Sequence, residues 1–343
     1  MKPTKHIIAM LACLVMVSWL TTGCAHFQKD QLSLWTDTAP AKQALAGYVK
    51  TVTDPSSPDF IPVENRVAVF DLDGTLILET DPTYFDWALF EHRVLDDPNY
   101  EPTEEQLAAA RASREKGVFP SLDANREKMV SEAYQGMTLD EFYDFIRSFM
   151  QEDQPGFVGM KRGDIFYKPM LEVVKYLVKN KFTVYICSGT DRLTVRPLIE
   201  QNMPYIPNRQ ILGSDSTIVA NKQADTDGLS YLFKKGDKLV LGGKNLVKNL
   251  QMNKVALIAQ EIGVQPVLAF GNTFSDASMV NYTINGNKYK ALGFMLMCDD
   301  LEREYGNMKK AEKMRQDCNT YGWIPVSMRN DWKTIYGENI KRR

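Results

Sequence analysis

Three short apolar runs, each cut off by polar or small residues, constrain this chain most. RVAVF at 66–70 runs into DLDGT, FTVYIC at 182–187 into SGTD, and PVLAF at 266–270 into GNTFSD. Runs of this length, rich in β-branched and aromatic residues and lacking polar alternation, are what strands look like when both faces of a sheet are covered. A fourth run, ALGFMLMC at 291–298, has the same character. Helical patterns separate the runs, one at 169–179 opened by Pro169 and one at 254–262. Strands alternating with helices predict an α/β fold with a doubly wound parallel sheet, whose ligands gather at the carboxyl ends of the strands. All three polar breaks fall at such ends.

Between the first two strands lie roughly a hundred residues, far more than a crossover requires. Residues 79–164 therefore read as an inserted helical cap, interrupting a catalytic core of 63–78 and 165–343. The insertion holds TYFDWALFEHRV, TEEQLAAARASREK and TLDEFYDFIRSFM, the last opened by a capping box of Thr138 and Glu141.

The strand ends carry the chemistry. Residues i and i+2 of an extended segment point to the same side, so Asp71 and Asp73 face one pocket. Gly74 frees the backbone to turn, and Thr75 can order the turn. One such carboxylate suits attack on phosphorus, and the other suits protonation of the leaving oxygen and later deprotonation of water. Plain turn chemistry also explains Asp-x-Asp-Gly after a strand, whereas a calcium loop requires further oxygen ligands that LILET does not supply. Ser188 and Gly189 offer a hydroxyl and a backbone N–H to a phosphoryl oxygen, or else a helix cap. Lys254 suits neutralisation of a phosphorylated aspartate, or is a solvated helix opener. Asn272 and Asp276 offer oxygens to a hard cation such as magnesium, or form a polar turn.

The ordered set Asp71, Asp73, Ser188, Lys254 and Asp276 resembles the four signature motifs of the haloacid dehalogenase superfamily, over residues of about 66 to 278. The resemblance implies Asp71 as nucleophile, Asp73 as general acid/base, and Ser188, Gly189 and Lys254 around the phosphate. It also implies a Mg2+ site of Asp71, the Asp73 backbone carbonyl, Asn272 and Asp276. The insertion is similar to the helical C1 cap of phosphoserine phosphatase-like members. A carboxylate at Asp73 separates phosphatases and phosphomutases from true dehalogenases and ion pumps. The expected reaction is thus Mg-dependent hydrolysis of a small phosphorylated metabolite through an aspartyl-phosphate. A phosphomutase, or a surface lipoprotein that binds a phospho-ligand without turnover, are the alternatives. Asn272 departs from the aspartate many relatives carry there. Lys235, Lys238 and Lys244 compete for the role given to Lys254. Glu79 lies one residue from where phosphoserine phosphatases hold an amino group. Tyr84, Phe85 and Trp87 either form a cation–π surface for a quaternary ammonium, as in exported phosphorylcholine phosphatases, or belong to the core. Arg192 and Arg196 touch phosphate or lie on a solvated helix face.

A net charge of -2 without long like-charge runs excludes the basic face of a nucleic-acid binder. Lys2 and Lys5 precede an apolar run at 7–20, the pattern of a signal peptide and too short for a comfortable span. Gly23 before Cys24 resembles the lipobox of bacterial lipoproteins, implying residues 1–24 as signal, lipidation at Cys24 and a place in the cell envelope. That place is the outer membrane or the periplasmic face if the source is Gram-negative. Thr21 stands where leucine is usual, and cleavage after Ala25 for soluble export is the alternative. Residues 25–62 then read as a tether and an N-terminal helix. Three histidines and no CxxC give no support to a zinc cluster. Cys298 and Cys318 are the one plausible disulfide, with Cys187 left over. The stretch from Asp299 opens as a charged helix, and Trp323 and Trp332 are assigned to packing.

Overall fold

The computed structural model describes residues 32–79 and 83–343; the apolar run at 7–20, Cys13 and Cys24 lie outside the described residues. Seven strands form the main sheet: β1 (Val67–Phe70), β3 (Thr183–Asp191), β4 (Ile211–Ala220), β5 (Leu239–Val247), β6 (Leu268–Gly271), β7 (Leu292–Met297) and β8 (Ile324–Ser327). Their order is β5-β4-β3-β1-β6-β7-β8, and every neighbouring pair is parallel except β4 with β5. A second, two-stranded antiparallel sheet pairs β2 (Phe157–Val158) with β9 (Lys341–Arg342).

β1 is central, and its register decides what the sheet presents. Phe70 lies beside Ile186 of β3 and Phe270 of β6. Asp71, just past the end of β1, therefore stands level with Cys187 of β3 and Gly271 of β6. Alternate residues of these strands enter opposite layers, as the two-residue period requires. Phe70, Phe270 and Phe294 stack on one face with centroids 4.2 and 4.8 Å apart. Val69, Ala269 and Met295 pack on the other face with Cys187 and Trp323. Burial on both sides is why the strands read as unbroken apolar runs.

Helix α1 (Pro40–Thr53) precedes β1. The segment between β1 and β3 carries α2 (Phe85–Leu95), α3 (Glu104–Lys116), α4 (Ala124–Glu132) and α5 (Leu139–Phe149), followed by β2 and α6 (Lys168–Lys179). Capping boxes open α3, through Thr103 and Gln106, and α5, through Thr138 and Glu141. Phe85 and Trp87 belong to the core, and the Trp87 Nε1–H donates to Glu91 Oε1 and Ser113 Oγ at 3.0 and 2.9 Å. α7 (Arg192–Asn202), α8 (Met252–Glu261), α9 (Ala277–Ile284) and α10 (Met308–Tyr321) alternate with the later strands.

The structure departs from expectation in four places. The stretch expected as tether is packed from Leu32 onward: Leu32 and Trp35 are buried, and Trp35 Nε1 donates to Pro169 O at 3.1 Å. The charged helix starts at Met308 rather than Asp299, because Asp300 Oδ1 takes the N–H groups of Glu302 and Arg303 and folds that stretch into a turn. Cys298 and Cys318 are free thiols, not a disulfide; Cys318 is buried beside Trp323, and Cys298 turns its thiol to Asn307 O. β4, β5 and β8 were not anticipated, since ILGSDSTIVA and LVLGGKNLV mix polar residues and glycine into the strand pattern.

Candidate active site

β1 delivers Asp71 to the carboxyl edge, with its N–H bonded to Phe270 O at 2.9 Å. The chain then turns tightly: Thr75, Leu76 and Ile77 all donate their N–H groups to Leu72 O. Gly74 adopts φ +74, and a Cβ there would lie 1.8 Å from Asn272 Nδ2. Only glycine permits both this conformation and so close an approach of the 272 side chain.

Lys254 is the electrostatic centre. It is wholly buried, with Nζ 2.5 Å from Asp71 Oδ1 and 2.7 Å from Asp276 Oδ1. Such a charge is tolerated in the interior only when paired and hydrogen-bonded on several sides. Burial, reinforced by Asp276, pushes the Asp71 carboxyl above the ordinary carboxylate range, while Lys254 pulls it down. The second oxygen of Asp71 accepts from Thr75 Oγ1 at 3.4 Å. Gln251, just before α8, holds φ 53, a conformation that costs a non-glycine residue about 1–3 kcal/mol. Two bonds to the 272–276 loop hold it there: Gln251 N–H to Ser275 O at 2.9 Å and Nε2 to Phe274 O at 3.0 Å. The helix carrying Lys254 is thereby pinned to the loop carrying Asn272.

That loop divides its labour. Asp276 Oδ1 accepts from Lys254, and Oδ2 accepts the N–H groups of Asn272 and Thr273, both at 3.1 Å. Asn272 Oδ1, by contrast, is buried with no hydrogen-bond partner, and so is Asp73 Oδ1. The unsatisfied buried Asn272 oxygen beside the Asp71 carboxylate is the kind of donor a hard cation takes. Among the described residues no cluster of three or more His, Cys, Asp or Glu side chains is arranged to hold a metal. A seat here would accordingly rely on an amide and a backbone carbonyl beside Asp71.

β3 brings the third set. Asp73 Oδ2 accepts from Thr190 Oγ1 at 2.9 Å, joining the β1 turn to the end of β3. Its carboxyl is pushed well above the ordinary range by burial, with Asp86 and Asp71 adding to the effect. Ser188 is fully buried, and its Oγ accepts the N–H of Thr190 at 3.0 Å. Asn249 Nδ2 holds Ser188 O at 2.9 Å, and Ser214 Oγ holds Gly189 O at 2.6 Å. The Gly189 N–H is thus turned to the side opposite Asn249, since C=O and N–H of a trans peptide point apart. Thr190, Asn249 and Ser214 were missed in the sequence; Thr190 lies inside the quoted SGTD, but nothing local marks the other two.

The cleft over these groups has a volume of about 520 Å³ and is walled by Tyr84, Asp86 and Arg126 from the insertion, and by Lys248, Leu250 and Phe274 from the core. Glu79 lines it as well, tied by Tyr84 OH at 3.3 Å and by Lys310 Nζ at 2.5 Å. Of the three aromatics read as a possible cation surface, only Tyr84 reaches the cleft. Arg192 pairs with Asp215, and Arg196 donates to Tyr143 OH, so neither lines it. Lys235, Lys238 and Lys244 lie elsewhere, and the buried position between Asp71 and Asp276 belongs to Lys254. Trp323 bonds Asn281, and Trp332 packs on Trp35.

No curated protein matches the chain by sequence. Among solved structures, a conserved protein of unknown function from Anaerococcus prevotii DSM 20548 aligns with TM-score 0.51 and 13% identity, over 84% of this chain and 91% of its own. A protein of unknown function from Bordetella pertussis Tohama I has TM-score 0.49 and 12% identity, over 76% and 98% of the two chains. Cytosolic 5'-nucleotidase IIIB bound to cytidine has TM-score 0.49 and 12% identity, over 86% and 87%. The first of these likenesses shows a shared fold and no more. The profile of the haloacid dehalogenase-like hydrolases matches residues 68–280, from within β1 to within α9 and more than half of the sequence, so the chain belongs to that family.

Proposed function

We propose that this hydrolase is a magnesium-dependent phosphatase of small phosphate monoesters, working through an aspartyl-phosphate on Asp71. One observation carries the reading: a fully buried ammonium shared by Asp71 and Asp276 at the end of the central strand. It leaves the other Asp71 oxygen available for attack on phosphorus while the ester P–O bond breaks. Asp73, held toward its protonated form by its surroundings, gives its proton to the departing oxygen. The resulting carboxylate then takes a proton from the water that attacks the phosphorylated Asp71, which releases inorganic phosphate. Thr190 keeps Asp73 in place through both steps. Ser188 Oγ, the Gly189 N–H and Lys254 are assigned to the phosphoryl oxygens. Asp71, the Asp73 carbonyl and Asn272 Oδ1 would hold the magnesium ion, which when bound screens the charge of the phosphate and Asp71. Asp276 is assigned to hold the lysine and the loop.

A narrow extension of about 50 Å³ adjoins the cleft. It lies between the insertion and the β4–β5 hairpin and shares Asp86 and Lys248 with the cleft, and the buried Tyr134 hydroxyl there has no hydrogen-bond partner. The N-terminal pattern supports export with lipidation at Cys24. The test is hydrolysis of p-nitrophenyl phosphate with magnesium and with EDTA, in wild type and Asp71→Asn. EDTA is expected to stop turnover, and the substitution to lower it at least about a thousandfold. Retained turnover in Asp71→Asn refutes the reading.

A further inference from the structure

We propose that the loop joining β4 to β5 is a docking surface for a bilayer rich in anionic lipid. Leu229, Leu232 and Phe233 are 100%, 77% and 55% exposed. Single exposed apolar residues are ordinary, but three large ones within five positions form a patch, and patches mark contact surfaces.

The exposure belongs to an ordered loop. Its ends are clasped, with Asn221 N–H to Lys238 O at 2.9 Å and Lys238 N–H to Asn221 Oδ1 at 3.0 Å. Inside, Asp237 is a hub: its Oδ2 accepts Tyr231 OH at 3.0 Å and the Lys234 N–H at 2.8 Å, and its Oδ1 lies 3.6 Å from Lys222 Nζ. These bonds consume the polar groups of the turn and leave its leucines and phenylalanine facing outward.

Charge selects the occupant. Lys234 and Lys235 follow Phe233 directly, and no carboxylate lies within salt-bridge distance of them or of Lys238 among the described residues. The same loop carries Asp225 and Asp227, and Asp227 Oδ1 is engaged by the Leu229 N–H at 2.8 Å. Lys234 Nζ lies over the Tyr231 ring at 5.7 Å, and apolar side chains next to ammonium groups without a carboxylate partner fit an interface in which acyl chains lie just beneath anionic headgroups. Among the described residues no helix is long and apolar enough to cross a membrane. The loop lies outside the candidate catalytic set, and the inference stands independently of the phosphatase reading.

A local probe tests it in the full chain. Phe233→Trp is read as the difference from wild type, with vesicles of phosphatidylcholine alone or mixed equally with phosphatidylglycerol. On the anionic vesicles its emission shifts blue and is quenched by dibrominated lipid. Adding Leu229→Ser and Leu232→Ser abolishes the quenching. Lys234→Ser with Lys235→Ser weakens the anionic preference by about fivefold per lysine. An unchanged thermal transition and p-nitrophenyl phosphate turnover would show that the variants remain folded. A reporter that stays water-exposed while the chain is vesicle-bound overturns the proposal, as does quenching indifferent to lipid charge. A blue shift without lipid that grows with protein concentration would identify a second copy as the occupant, and overturns it equally.

Discussion

Replacing Lys254 with methionine keeps the stem and removes the ammonium, which leaves Asp71 and Asp276 buried without their shared counterion. At an effective dielectric constant of about 20, contacts at these separations are worth ~6 kcal/mol each, against several kcal/mol spent in burying the ammonium. Measured losses on breaking buried pairs fall at about 3–5 kcal/mol. For a chain of this size that is a drop in melting temperature of roughly 4–7 °C. The pH dependence is the sharper signature. Asp71 already lies above its ordinary range, and Lys254 is what pulls it down, so the substitution raises it further. A carboxyl whose folded pKa exceeds its unfolded value costs stability above the folded pKa and nothing below the unfolded one. The gap between variant and wild type must therefore narrow as pH falls from about 9 to about 7, the wild-type value, and hold level from there to about 5. Urea titrations followed by circular dichroism, in EDTA and across that range, read it directly. A variant as stable as wild type, or a gap that widens in acid, would refute the assignment of Lys254 as the buried counterion.

Other outcomes follow from the same geometry. Gly74→Ala forces a left-handed φ and a clash with Asn272; a loss of about 1–3 kcal/mol in chemical denaturation is expected, together with weakened turnover, and an unaffected variant would disprove the close approach. Asn272→Asp adds a carboxylate to the proposed cation seat. Magnesium should then raise the melting temperature of the variant more than that of wild type, while the metal-free protein loses stability; equal shifts would remove Asn272 from the seat. Burial pushes Asp191 up to about 6, so its charge costs stability above that pH and nothing below its usual 3.8. Asp191→Asn is therefore expected to gain about 2 kcal/mol at pH ~8, with the gain fading by pH ~4; a pH-independent effect would contradict this.

What was legible in the sequence was what local pattern dictates. Burial on both faces wrote β1, β3, β6 and β7 as unbroken apolar runs, and their ends named Asp71, Asp73, Ser188 and Asn272 in advance. What escaped depends on long-range geometry. β5 is an edge strand with a Gly–Gly pair, and β4 is polar over half its length, so neither carries a strong period. Motif order already favoured Lys254 over its competitors, and register is what sets it apart physically: α8 turns it inward, between residues 183 positions before it and 22 after it. Thr190, Asn249 and Ser214 act by holding other groups still, a role that no spacing announces. The reach of Lys310 to Glu79 spans 231 residues and has no local signature.

The small β2–β9 sheet bears on how substrate could enter. β2 belongs to the segment inserted between β1 and β3, while β9 comes from the last residues of the chain; Arg343 N–H adds a bond to Gly156 O at 2.8 Å, and Arg342 stacks over Tyr305 at 4.1 Å. The inserted segment is consequently fastened here as well as at β5, where the Gly136 N–H meets Leu241 O at 2.8 Å and the Leu241 N–H meets Met137 O at 2.9 Å. A door-like rotation of the whole segment would have to tear that fastening. Breathing confined to α2, α3 and α4 would leave it intact. Amide exchange should then be fast along those helices and slow at Phe157 and Val158, and substrate capture would be paced by local helix motion rather than by domain closure.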